Sequence, residues 1–300
     1  MSAERKALVF ALIAVFLWST VATAFKLALV ELSPRWLLAI ASLVSLIFLS
    51  GYLFLTSQFS SALSALKQSK WFYLRQGLSN PLIYYLILFQ AYDLLPAQQA
   101  QAINYTWALT MSLLAVPLLG HSLYRRDIAA LLLAYLGVVV IATQGHVFSL
   151  EFSSFSGVML ALLSTVVWAL YWIWNTGRKE RPEVSLWCGF LVATPMAVLV
   201  AVVWDGWQIQ IGQSLWAAVY VGLFEMGVTF LFWQKALTLT NRAASISSLI
   251  FLSPFLSLIF INQILGEQIH PATFVGLLFI ISGLVVQKIT ASGTKKPAKG

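Results

Sequence analysis

Cysteine, charge and catalytic signatures are what this sequence has least of. A single cysteine, Cys188, lies in an apolar run among 300 residues. It excludes an internal disulfide and any multi-cysteine metal site. Charged residues make up 9% of the chain, against about 25% in an ordinary soluble domain. The three histidines, His121, His146 and His270, are far apart. No H-E-x-x-H, G-x-x-x-x-G-K-[ST] or G-x-S-x-G occurs, so zinc-protease, nucleotide-loop and hydrolase-elbow chemistry have no footing here. Without a nucleotide loop there is no signature of an ATP-driven pump. The net charge of +8 comes from Lys and Arg scattered between apolar runs rather than gathered on a solvated face. That pattern orients a protein in a bilayer and does not bind nucleic acid. No cofactor is expected.

What the chain does have is hydrophobic length. Apolar residues form 60% of it, in runs that match the ~20 residues needed to cross a ~30 Å hydrocarbon core at ~1.5 Å per residue. Ten spans are expected, over 7–30, 34–55, 71–94, 97–119, 127–143, 155–176, 184–204, 215–238, 243–265 and 271–288. The first is too long and weakly bounded for a cleavable signal core. Pro34 and Pro271 suit the first turn of a helix, where a missing N–H costs nothing. The fold class is an all-α integral membrane protein, with loops too short for a soluble domain and a cationic tail, 290–300, expected to be disordered. With the N-terminus in the cytoplasm and ten spans, 16 of the 18 Lys and Arg fall on the cytoplasmic side and only Lys26 and Arg35 outside. A wrong count would scramble that division. Both termini are therefore expected in the cytoplasm, and a bacterial inner membrane is the expected setting.

The halves repeat. Leu119-Gly120-His121-Ser122 and Leu265-Gly266-Glu267-Gln268 lie 146 residues apart, as do Gly137 and Gly283. Gly77-Leu78-Ser79-Asn80 matches Gly222-Leu223-Phe224-Glu225 at 145, and Trp18 matches Trp168 more loosely. Two five-helix units, 1–147 and 148–289, follow. An odd helix number makes them enter the membrane with opposite polarity, a carrier arrangement that builds conformations open to either side around a midplane site.

Glu225 is the sharpest candidate. It stands near the middle of its span, where a carboxylate costs a few kcal/mol at least, and it serves as substrate ligand or proton-coupling group, or else as structural glue between helices. Thr229 shares its face one turn on. The matching first-half positions are Asn80 and Tyr84. Gln101, Asn104 and Tyr105 share a face of the fourth span, and Trp168, Tyr171 and Trp172 a face of the sixth. Amides beside large rings suit an amphipathic ligand; interface-belt aromatics and interhelical amides account for the same residues. Lys26 either meets a substrate carboxylate or snorkels to the outer surface, the latter being favoured. Pro81 and Pro254 are the candidate hinges.

Leu17-Trp18-Ser19-Thr20, Phe224-Glu225-Met226-Gly227, Trp233-Gln234-Lys235-Ala236-Leu237, Ser253-Pro254-Phe255 and Leu265-Gly266-Glu267 together resemble the drug/metabolite transporter superfamily in its ten-helix form with two EamA-type halves. Asn104-Tyr105-Thr106-Trp107 is similar to a stretch in its aromatic amino-acid exporters. The first half departs from the pattern: Ala108 stands for Pro254, and His121-Ser122 for Glu267-Gln268. The resemblance implies a pocket among helices one, three, four, six, eight and nine. It also implies export of a small metabolite, an amino acid among the options. The expectation is a monomeric secondary transporter with a small-molecule substrate and the lipid bilayer as its partners. A cationic-drug/proton antiporter, a nucleotide-sugar exchanger, a lipid-handling protein and a channel are the alternatives.

Overall fold

A computed structural model describes residues 2–293 except 123, 150, 177–179, 208–211, 242–245 and 247, with side chains described as far as Gln287. Among the described residues every regular element is helical. The first half comprises α1 (Ala3–Ala28), α2 (Pro34–Leu55), α3 (Phe59–Gln68), α4 (Lys70–Gly77), a π-helical stretch (Leu78–Ile83), α5 (Tyr84–Leu94), α6 (Ala97–Asn104), α7 (Trp107–Leu119) and α8 (Arg125–Ala142). The second comprises α9 (Phe155–Asn175), α10 (Pro182–Asp205), α11 (Gln213–Tyr220), a second π-helical stretch (Val221–Val228), α12 (Thr229–Leu239), a 3-10 turn (Leu249–Leu252), α13 (Ser253–Leu265) and α14 (Pro271–Gly293).

Among the described residues six helices are long and apolar enough to cross a membrane: Ala3–Ala28, Pro34–Leu55, Ala97–Leu119, Phe155–Asn175, Pro182–Asp205 and Gln213–Leu239. Leu249–Leu265 and Pro271–Gln287 are shorter apolar helices. The chain is thus a multi-pass membrane protein. Two expected spans fall outside this set for visible reasons. The third is interrupted at 78–83 and carries Arg75 and Asp93, and the fifth opens on Arg125-Arg126-Asp127. The start of the ninth expected span, Arg178, Lys179 and the end of the cationic tail lie outside the described residues.

Local chemistry sets the helix ends. Ser33 and Ser154 accept the backbone N–H of Trp36 and Gly157, both at 3.1 Å, satisfying donors that a helix start leaves free. Gly120 and Gly266 end α7 and α13 with φ of 70° and 67°, the left-handed closure that glycine adopts without a Cβ clash. The stretch 56–70, expected as a loop, contains α3. Its Phe59 ring meets Trp187 edge-on at 5.3 Å, and Ala62 is fully buried. The spacing of Phe59, Ala62 and Leu66 carried that signal.

Helix contacts run through small residues, as expected where lipid removes the hydrophobic drive between spans. A Cβ on Gly137 would lie 2.5 Å from the Gly276 carbonyl oxygen, and one on Gly283 2.5 Å from that of Ala130. Each contact is the other's image at the 146-residue offset. A looser pairing, at offsets of 145 and 148, holds between α4 and α10 and between the second π stretch and α2. A Cβ on Gly77 would lie 2.6 Å from Gly189 O, and one on Gly222 2.5 Å from Ala41 O. Contacts paired in this way are what a two-fold operation between two regions generates. Large apolar side chains such as Phe54, Leu132 and Leu199 are 75%, 68% and 61% exposed, a surface that lipid covers without cost.

Polar contacts collect at two ends. The near end holds the start of α1, where Glu4 accepts from Thr240 Oγ1 and Asn241 N, both at 2.8 Å. The far end holds the α1–α2, α5–α6, α10–α11 and α13–α14 connections. There Arg35 donates twice to Asp205, Nε at 2.8 Å and Nη2 at 2.6 Å, and Ser33 Oγ adds a third bond to the same carboxylate at 2.6 Å.

Candidate functional site

Two interrupted helices frame the site. In the first, Asn80 has extended backbone (φ −145°, ψ 121°) inside the helical run, the conformation favoured for a residue preceding proline. The Asn80–Pro81 peptide bond is cis. In the second, Val221–Val228 forms the π-helical stretch without a proline, and Thr229 Oγ1 donates to the Phe224 carbonyl. Such π segments widen the helix locally and recur at functional sites. One carries Asn80, the other Glu225.

Glu225 is half-buried. Tyr85 Oη donates to its Oε1 at 3.0 Å, and the Trp18 indole lies beside the carboxylate. Trp18 packs edge-on against Phe230 at 5.6 Å and Trp233 at 5.4 Å. Tyr220, one turn before Glu225, shares a 2.7 Å hydrogen bond with Thr20. A carboxylate at this depth persists where it has donors and reaches water; Glu225 has both.

The first-half counterpart is a stack of rings. Tyr84 lies on Trp168 with centroids 4.6 Å apart, and Trp168 on Tyr171 at 5.3 Å. Tyr84 Oη donates to Asn104 Oδ1 at 3.4 Å, and Asn104 Nδ2 to Ser164 Oγ at 2.9 Å. Tyr171 lies beside the side chain of Asn80, whose Oδ1 is buried without a partner. Tyr84 and Tyr85 meet edge-on at 4.7 Å and so join the stack to the Glu225 cluster.

The structure therefore brings Trp18 to Glu225, and Asn80, Tyr84, Asn104, Trp168 and Tyr171 to each other. Asn80 and Glu225 do not touch; the tyrosine pair stands between them. Tyr105 is half-buried beside this group and Gln101 is 6% exposed. Trp172 is 40% exposed and stacks on Trp107 at 6.3 Å, at the rim. Thr229 is fully buried with its hydroxyl committed to Phe224. Pro254 stands in the first turn of α13, after the 3-10 turn, and Pro81 in the first π stretch. Sequence reasoning missed Tyr85, although a membrane-depth acid needs a donor and Tyr85 adjoins a residue already singled out.

Lys26 neither lines the site nor snorkels freely. Its Nζ donates to the Tyr92 and Leu95 carbonyls at 2.8 and 3.2 Å, capping the C-terminal end of α5, where helix carbonyls lack partners. Between it and Glu225 the far half is filled. Phe25 packs edge-on against Phe89 at 4.8 Å and Tyr92 at 5.0 Å, and Val21, Ala22 and Phe25 are buried. Toward the near end Trp18, Ala108, Met111 and Ser112 are half-exposed. Glu225 thus has part-exposed residues on its near side and packed ones on its far side.

Comparison with known proteins places this geometry. The EamA-like transporter family matches residues 5–143 and again 155–287. A transporter of Clostridium kluyveri named as uncharacterized is 26% identical over 202 residues, 62% of this chain and 65% of that protein. The aromatic amino acid exporter YddG of Ancylobacter novellus is 26% identical over 176 residues, 57% of this chain and 60% of that protein. The uncharacterized transporter YyaM of Bacillus subtilis is 25% identical over 194 residues, 62% of this chain and 61% of that protein. The matched chain thus spans less than two thirds of these relatives' length. A solved crystal structure superposes with a TM-score of 0.67 at 21% identity, over 97% of this chain and 99% of the other, and so shares the fold.

Proposed function

The chain belongs to the EamA-like transporter family, and from that premise we propose that it is a secondary carrier moving a small amphipathic metabolite by alternating access. The observation that carries this reading is Glu225: a part-exposed acid on a π-widened helix, held by Tyr85, with packed side chains on its far side. A polar site where two interrupted helices meet is what an alternating-access carrier uses. Ten spans in two inverted five-helix halves, 1–147 and 148–289, are supported by the image-related glycine contacts, by the paired left-handed caps at Gly120 and Gly266, and by the two π stretches. Pro81 and Pro254 would absorb the bending.

The rings of Trp18, Tyr84, Trp168 and Tyr171 offer apolar and cation-attracting faces, with Trp172 at the rim. Asn80, Gln101, Asn104 and Tyr105 offer orienting hydrogen bonds. This lining suits an aromatic or other amphipathic amino acid, and the exporter among the relatives supports that cargo and the outward direction. We place the carrier in the cell membrane as a monomer with both termini in the cytoplasm. A second reading, proton-coupled export of an amphipathic cation, is favoured by one observation. Glu225 is partnered by Tyr85 rather than by a cation, and the ammonium of Lys26 is committed to backbone carbonyls.

Counterflow in proteoliposomes tests both. Labelled aromatic amino acids and quaternary ammonium compounds are supplied across a range of pH to the parent protein and to Glu225→Gln. The carrier reading expects saturable counterflow that loses its pH dependence in the variant. Linear, non-saturating flux would sink it in favour of a channel. Unchanged rate and pH dependence in Glu225→Gln would return that residue to a structural role.

A further inference from the structure

At the far end a polar clasp joins two corners of the molecule. Glu267 accepts the backbone N–H groups of Ala97 and Gln98 at 3.0 and 3.3 Å and the Gln98 amide at 2.8 Å. Its carboxylate therefore caps the N-terminus of α6, where free N–H groups and the helix dipole favour negative charge. Gln98 is 4% exposed and fully satisfied. Its Nε2 also donates to Gln268 O at 2.9 Å, while its Oε1 accepts from His270 N at 2.9 Å and Thr273 Oγ1 at 2.6 Å. One side chain thus ties the α5–α6 corner to the α13–α14 corner, and α6 packs on α9, α8, α1, α13 and α14. The continuation of the same span, α7, packs chiefly on α9, and its Met111 and Ser112 are part-exposed.

The image position at the near end carries no acid. The glycine cap of α13 at Gly266 has its image in the cap of α7 at Gly120, with the same left-handed backbone. The residue that follows is Glu267 in one half and His121 in the other, and His121 is exposed. Backbone geometry is shared; the acid is not. We propose that the Gln98–Glu267 clasp is the far-end gate of the transport cycle, and that the halves differ there because the image position carries His121 in place of an acid. The proposal rests on the alternating-access reading above. Gln98 and Glu267 act as positioning residues, remote from the cargo.

Ala22 shares the helical face of Trp18 and Lys26, between them along α1, and is 1% exposed. The test follows Ala22→Cys, in a Cys188→Ala background, labelled in oriented vesicles by a membrane-impermeant maleimide added at the far face. Labelling is slow in the parent. It rises about tenfold in Gln98→Ala and in Glu267→Gln, the population change that loss of charge-assisted hydrogen bonds brings. Labelling of Trp18→Cys from the near face falls in the same variants. Glu267→Asp, which keeps the charge, restores part of the parent behaviour. Unaltered gel-filtration profiles separate gating from unfolding, and the His121→Glu protein supplies a second measurement. By adding an acid at the image position, it slows near-face labelling of Trp18→Cys without touching the clasp. Fast far-face labelling of the parent, or equal labelling in all variants while counterflow proceeds, would falsify the gate. Shifted labelling without any counterflow would leave the gate standing and overturn the carrier reading instead.

Discussion

The two interrupted helices, 70–94 and 213–239, make the same break in different ways. Each has a glycine one turn before the break, Gly77 or Gly222, pressed on the carbonyl of a neighbouring helix. Each has a π-helical stretch at the matching position. The first contains Pro81, which removes a backbone donor and forces Asn80 out of the helical region. The second has no proline, and the Thr229 hydroxyl takes the Phe224 carbonyl instead. The break therefore belongs to the packing position, and the residues in it are free to specialise. One half places an uncharged amide there, the other an acid. Duplication supplies the frame, and divergence supplies the chemistry.

That comparison can be broken or sharpened by substitution. Gly222→Leu and Gly77→Leu should be the most damaging, each destabilising the fold by roughly 1–3 kcal/mol or more because backbone oxygen cannot yield to a new side chain. Thermal unfolding in detergent reads this, with Gly51→Leu, where nothing lies within 4 Å, as the silent control. Tolerance of one substitution and not the other would show that the halves no longer share the frame. Next in size, Glu225→Gln should cut counterflow about tenfold and Asn80→Ala only about threefold, since losing an intramembrane charge outweighs losing one amide. Equal losses would erase the functional difference between the breaks. Tyr85→Phe removes a donor to a carboxylate and should slow counterflow about fivefold with folding intact; an unaffected rate would mean that the hydroxyl only fills space. Smallest is Thr229→Val, expected to cost about 1 kcal/mol in thermal unfolding and to leave transport near the parent rate.

Much of the fold was legible because lipid makes the pattern severe. Long apolar runs, Pro34 in a first turn, and glycine caps at Gly120 and Gly266 are local signals that no tertiary contact has to supply. The break at Asn80 could be read from Pro81. The break at Glu225 could not, because its cause is an approach to Ala41 and a hydroxyl bond over five residues. The α3 helix was taken as loop because it is short and its burial depends on Trp187. At the site, Glu225, Trp18 and the ring series were visible as costly or bulky residues at membrane depth. Tyr85 was not, since the neighbouring Tyr84 matched the helical face being followed.

By itself the sequence determined that this chain lives in a bilayer, that it is helical, that it repeats, and that an acid sits where acids are expensive. Each follows from period, hydropathy and spacing, which are local properties of the chain. Only the tertiary structure decided what the long-range groups do. Lys26 caps α5 instead of meeting a ligand, Thr229 turns inward, Tyr85 holds Glu225, and Glu267 joins two far-end corners across a separation of 170 residues from Ala97. Those outcomes depend on which carbonyl or carboxylate another helix brings within about 3 Å, and no spacing along one chain records that.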